Sequence, residues 1–259
     1  MLSQKPEFRT IAEVNPPTLP DSTHRRLEGS WSDVLITDNV FGKIRVSPYA
    51  FAARITHDVP SVHPTVVVST RDRNHLAIES EVRGALGNGV DSFLVVPGDT
   101  FPAVARAAEH LDVVEHLRAL QSAMPAFEVG LPTRLDRSQF RSRVSAGAQF
   151  LVTVPVLEPG PLGEALVDMD LSTDDPPVFV AVIPPFSPTW VEKMAAWRAL
   201  AGPDLAAKVA ELEPAYRRQW AWEQVDAVRK VAEEGGAAGV VLMGLKFDTV
   251  VGEAAEALG

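Results

Sequence analysis

A chain of 259 residues, 46% hydrophobic and 22% charged, is long enough to bury a substantial core, which excludes disorder over most of its length. Its formal charge of -10 and pI near 5.1 argue against nucleic acid or an anionic membrane surface as the main partner. The absence of cysteine excludes disulfides, thiolate nucleophiles and Cys metal sites. Residues 1 to 20 carry four prolines, two acidic groups and no apolar h-region, so they do not read as a signal peptide. With no cysteine the expected compartment is the cytoplasm, and no apolar run reaches the roughly 18 residues of a membrane helix.

Taken in order, the chain opens on Glu7 to Val14, a β-branched and aromatic run that suits a buried strand. Pro16 and Pro17 cannot donate to a ladder, so this strand must end just after Glu13 and leave its carboxylate at the tip. Seven further apolar runs follow: Asp33 to Thr37, Thr65 to Ser69, Ser92 to Val96, Phe127 to Leu131, Gln149 to Val154, Val178 to Ile183 and Gly239 to Met243. Most are separated by segments with helical caps or periodicity, the alternation of a parallel α/β fold. Ser47-Pro48 and Ser187-Pro188 read as helix starts, and Asn74, Asp112 and Asp136 as caps. Gly29, Gly87, Gly147 and Gly202 read as stops.

Two stretches depart from this rhythm. Residues 157 to 177 are proline-rich and acidic, which predicts a loop that has room for one short helix and reads equally as a lid at the mouth or as a plain surface loop replacing a helix. Trp190 to Glu234 has room for two or three helices, broken near Gly202-Pro203 and at Pro214. No linker or repeat divides the chain. The expected fold is a single (β/α)8 barrel over residues 1–259, with a doubly wound open sheet as the alternative.

In a barrel, residues just after each strand share one mouth. That mouth would hold Glu13 and Asn15, Thr37-Asp38-Asn39, Thr70-Arg71-Asp72-Arg73-Asn74, Gly98-Asp99-Thr100, Thr153, Pro184 to Ser187 and Gly244 to Lys246. Its first half is rich in carboxylates, whose repulsion and burial should raise at least one pKa and supply a general acid. The plainer alternative is that Asp38, Arg71, Asp72 and Arg73 pair among themselves and shape the loops. The six histidines are scattered, which disfavours a metal site. Walker, GxSxG and GxGxxG motifs are absent, leaving acid–base or hydride chemistry on a small molecule.

The sequence resembles the methylenetetrahydrofolate reductase family along most of its length. The resemblance rests on Glu13-Val14-Asn15-Pro16-Pro17, Ile36-Thr37-Asp38-Asn39, Ser47-Pro48 and Thr70-Arg71-Asp72-Arg73-Asn74. It continues through Gly84-Ala85-Leu86, Gly89-Val90, Gly98-Asp99 and Ser145-Ala146-Gly147-Ala148. It implies a (β/α)8 barrel that reduces 5,10-methylenetetrahydrofolate to 5-methyltetrahydrofolate, with NAD(P)H as electron source and FAD in most members. By position, Glu13 resembles the family's general acid and Asp99 its pterin-side aspartate. Asn39, Phe186 and Lys246 join Asp99 on the substrate side, and Thr37, Thr70, Arg71, Gly98 and Arg143 fall on the cofactor side. Trp190 is a second candidate for stacking.

The departures bear on the flavin. The family's strand-three flavin residue falls at Val67, its flavin loop after strand five is here Gly130-Leu131-Pro132-Thr133-Arg134, and its folate-binding Gln falls at Val154. These losses imply a short, divergent branch in which NADH or NADPH passes hydride directly and FAD is absent or weakly held. Two other readings stay open: a folate-dependent methyltransferase reusing Asp99, and a non-catalytic folate-binding subunit. A homo-oligomer is compatible with all three.

Overall fold

The computed structural model describes residues 1–4, 7–71, 73–98, 110–121, 124, 126–197 and 199–258. Eight parallel strands close into a barrel in sequence order. They are β1 (Arg9–Val14), β2 (Asp33–Ile36), β3 (His63–Ser69) and β4 (Ser92–Val96), then β5 (Glu128–Thr133), β6 (Phe150–Thr153), β7 (Val178–Val182) and β8 (Gly239–Leu242). Closure is made by β8 pairing back on β1, with Arg9 opposite Gly239 and Ala12 opposite Leu242. All eight expected strands are present, and the barrel rather than the open sheet is the outcome.

The near-continuous apolar runs divide by alternation into two cores. Ile11, Leu35, Leu94, Phe150, Phe179 and Val241 fill the barrel interior, while Val14, Val34, Ile36, Val66, Phe93 and Val180 face the helices. Inside, the Phe150 ring lies where a side chain at Gly130 would project, so one ring fills two positions of a layer. Burying such a ring contributes about 1.5–3 kcal/mol. Beneath it, the wholly buried Glu128 accepts hydrogen bonds from the Leu2 and Ser3 amides and from Ser92 Oγ, which draws the N-terminal residues across the barrel floor.

The outer layer holds α1 (Pro48–Asp58), α2 (His75–Leu86), α3 (His110–Leu120) and α4 (Arg137–Ser145), then α5 (Pro159–Met169), α6 (Pro188–Ala196), α7 (Leu205–Glu211) and α8 (Arg217–Glu234). Asn74, Asp136 and Ser187 cap as expected, accepting from the amides of Ala77, Gln139 and Trp190. Such caps contribute about 1 kcal/mol each. Ser47 stands at its helix start, with Pro48 at the first position, but its side chain makes no capping bond.

Four expectations are corrected. Asp112 lies inside the first turn of α3, where its charge suits the helix dipole, rather than capping it. Gly87 ends α2 in a right-handed conformation and Gly89, at φ 81°, makes the left-handed turn. Gly202 is not a helix stop: it sits in a segment tied to the loop after β6, its amide donating to Glu158. Gly29 and Gly147 are left-handed, as anticipated. The largest correction concerns residues 157 to 177, where α5 is a regular member of the ring with Leu162, Leu166 and Met169 buried, not a lid. Pro159 and Pro161 both fall in its first turn, where amides have no helical acceptor to lose, so the prolines are compatible with the helix.

Candidate active site

Alternation along β1 directs Ile11 into the barrel and places Glu13, two residues on, at its upper rim. The half-buried carboxylate accepts through Oε1 from the amide of Gly244, 3.1 Å away, just past the end of β8. Gly244 is in the left-handed region at φ 75°, and a Cβ there would meet Trp190 Cζ2 at 3.1 Å and Ile183 Cγ2 at 3.6 Å. The turn that holds Glu13 is therefore covered on its other side by the first turn of α6.

The strand ends next to Glu13 form a polar rim. Thr37 is buried; its amide donates to Val14 O at 3.1 Å and its hydroxyl to Asn15 Oδ1 at 2.9 Å, which joins β1 to β2 above the core. Asp38 has a side chain only 1% exposed, and it accepts from the Ser69 amide (3.2 Å), from Asn39 Nδ2 (2.9 Å) and from Arg73. Arg73 also donates to Ser69 O at 2.9 Å and meets Glu81 at 3.1 Å. Asp38 and Arg73 thus pair and grip both backbone groups of Ser69. Burial pushes the Glu81 carboxyl up, with Arg73 opposing, and likewise pushes the Tyr49 phenol well up. Glu81 lies on α2 behind Arg73, among the supports of the rim.

Thr70 is buried, donating its amide to Val96 O at 3.0 Å and accepting from the Arg73 amide at 3.3 Å. Gly98 is left-handed at φ 81°, and Ser69 Oγ and Arg71 Cβ occupy the space where its side chain would go. Thr37, Asp38, Thr70, Arg71 and Gly98 are therefore gathered on the β2–β4 side of the mouth, near Glu13. Asp72, Asp99 and Thr100 lie outside the described residues.

The remaining candidates are dispersed. Asn39, at φ 49°, accepts through Oδ1 from the Arg45 amide at 2.9 Å and donates Nδ2 to Asp38, so its side chain shapes the loop after β2. Arg143 sits on α4 and its Nε donates to Pro132 O at 3.2 Å. Phe186 meets Trp222 of α8 edge-on at 5.7 Å, and the Arg218 guanidinium covers it at 4.9 Å, a packing role on the outer layer. Lys246 is exposed at the start of a short helical turn, Phe247–Thr249.

Opposite the polar rim stands an apolar wall that the sequence reading did not single out. Leu157, Ile183, Val191, Met194, Leu205 and Val209 form a separate buried cluster, with Trp190 and Met243 packed against it. The segment around Leu200 pairs with Val156 beyond β6 and brings α6 and α7 over that side. Among the described residues, no group of three or more His, Asp or Glu could hold a metal ion. Two depressions, of about 320 and 800 Å³, open on the opposite face, bordered by Phe8 and Ala237 in one case and by Arg9 and His63 in the other. The mouth remains the candidate site, because there the polar groups converge at the carboxyl ends of the strands.

No known protein-family model matches the chain, and no curated protein does. Among solved structures it is similar to a cube-shaped, highly porous cage designed by fusing symmetric oligomeric domains, with a TM-score of 0.50 and 14% identity over 97% of this chain and 71% of that one. It is also similar to the open form of tryptophan synthase from M. tuberculosis, with a TM-score of 0.50 and 13% identity over 90% of this chain and 92% of that one. At these identities the likeness is one of fold. Among the described residues, no helix is long and apolar enough to cross a membrane.

Proposed function

We propose that this barrel is an oxidoreductase of the methylenetetrahydrofolate reductase type, taking hydride from NADH or NADPH. The observation that carries the reading is the setting of Glu13: a carboxyl at the rim of β1, oriented by the Gly244 amide, between a polar rim and an apolar wall. A flat heteroaromatic substrate with a donor-rich edge suits such a divided mouth.

In this reading Glu13 gives its proton to N10 of the substrate, the bond from N10 to the methylene carbon breaks with its electron pair going to N10, and a cation forms at N5. Hydride from the nicotinamide then adds to the methylene carbon, leaving a methyl group on N5 and an oxidised nicotinamide. Glu13 recovers its proton from water. Asp99 is assigned to the donor-rich pterin edge, and its negative charge would favour the cation.

The residues that the resemblance assigns to a flavin do not fit one. Val67 is packed with the barrel interior around Leu35 and Leu94. Pro132 has no amide proton, and the Thr133 hydroxyl is committed to Arg134 O at 3.0 Å. Arg143 is bonded to Pro132 O. No step is therefore assigned to a flavin, and nicotinamide hydride is competent to reduce an iminium directly. The test is loss of nicotinamide absorbance with and without methylenetetrahydrofolate, on protein stripped of flavin. Folate-dependent oxidation supports direct transfer, and activity only after FAD is added would overturn it. Silence in both conditions would sink the reductase reading.

A further inference from the structure

We infer that Trp190 is a positioning residue for Glu13, acting through the left-handed turn at Gly244. The inference rests on the reading of Glu13 as proton donor, but the geometric relation can be tested without turnover. Three observations support it. Glu13 Oε1 is 3.1 Å from the Gly244 nitrogen, and a hydrogen bond of that length fixes the direction in which the carboxyl faces the mouth. Gly244 has φ 75°, a conformation that L side chains rarely adopt, so the amide takes this direction because the residue is glycine. The indole of Trp190 lies against that turn closely enough that a single added carbon would touch it at 3.1 Å.

Trp190 is itself held from two sides. Its amide donates to Ser187 Oγ at 3.2 Å within the cap of α6, and its ring packs on the buried cluster of Ile183, Val191 and Leu205. The path from the α6–α7 wall to the Glu13 carboxyl therefore runs through one ring and one glycine. A glycine turn left uncovered samples many conformations, because glycine has access to both signs of φ. The ring restricts that choice to the one conformation whose amide meets Glu13. Positioning of this kind acts on the reacting geometry, so its loss is read in kcat before substrate affinity.

The Gly244 amide provides the measurement. Gly244 is exposed, so exchange of its amide proton with solvent reports whether Glu13 accepts it. In the whole chain, Trp190→Leu keeps an apolar side chain beside the buried cluster but removes the ring from the turn. The expected result is Gly244 exchange faster by about tenfold or more, matching the rate in Glu13→Ala, with kcat down about tenfold and KM for the folate within about twofold. Should Trp190→Leu fail to fold, Gly244→Ala pushes the turn against the ring, and the same rise in exchange at position 244 is expected. Unchanged exchange overturns the inference whether or not the protein oxidises NADH. Faster exchange with unchanged kcat overturns the positioning role. Faster exchange in a chain whose wild type never oxidises NADH leaves the Trp190–Gly244–Glu13 relation standing and sinks the reductase reading instead.

Discussion

Glu13 Oε1 and the Gly244 amide join the first and last strands of the barrel at its mouth, 3.1 Å apart. Glutamine at position 13 keeps an oxygen that can accept from Gly244 but has no acidic proton. If the barrel is the proposed reductase, Glu13→Gln should fold and keep the folate affinity of the wild type while turnover falls by about 10²–10⁴. Steady-state rates beside equilibrium folate binding check this, and unchanged turnover would remove Glu13 from the chemistry.

Gly98 is left-handed at φ 81° and faces Ser69 Oγ and Arg71 Cβ with no room for a side chain. Gly98→Ala should cost about 1–3 kcal/mol, visible as a lower urea midpoint with an unchanged slope. Ser69→Ala in the same chain removes the nearest obstacle and should recover part of the loss. Equal stability of Gly98→Ala and wild type would show that the two strand ends can move apart freely.

Asp38 and Arg73 make the opposite kind of contact, one that is costly to halve. With its side chain 1% exposed, Asp38 would keep a buried charge if Arg73 were removed. Arg73→Met is expected to lose about 3–5 kcal/mol, and Asp38→Asn combined with Arg73→Met to lose less than the two single changes summed. Chemical denaturation of the four proteins decides it; strict additivity would mean that the pair is not coupled.

The barrel was legible because each strand carries its own evidence. Runs such as Val178 to Ile183 are apolar on both faces, and caps such as Asn74 and Asp136 mark helices locally. Residues 157 to 177 mislead because a proline is read without its position: in the first turn of α5, Pro159 and Pro161 disrupt nothing. The plainer alternative for Asp38 and Arg73, pairing to shape a loop, matches their geometry. Glu13 could be placed from the two prolines that end its strand, but its partner could not. Gly244 is 231 residues away, and only closure of β8 on β1 brings the two together. Glu128 was likewise invisible, since an acid at a strand start reads as solvated until the amides of Leu2 and Ser3 are seen to meet it.

Asp58 gives a pH dependence of definite sign. Hydrogen bonds from His57 (Nδ1 to Oδ1, 2.9 Å) and from the buried His24 (Nε2 to Oδ2, 2.8 Å) hold its carboxyl well below the usual carboxylate range. Arg25 adds its charge at 3.1 Å. A carboxyl depressed in the folded state stabilises the fold wherever the unfolded chain would be ionised too, above its ordinary value of about 3.9. That stabilisation is lost as pH falls from there toward the folded value. Asp58→Asn removes the charge at every pH, so it should melt below the wild type at neutral pH, with the gap narrowing progressively once the pH drops below about 4. Melting temperatures of both proteins across an acid series measure the gap directly. A gap constant with pH would mean that packing of the side chain, rather than its charge, links α1 to the His24 turn.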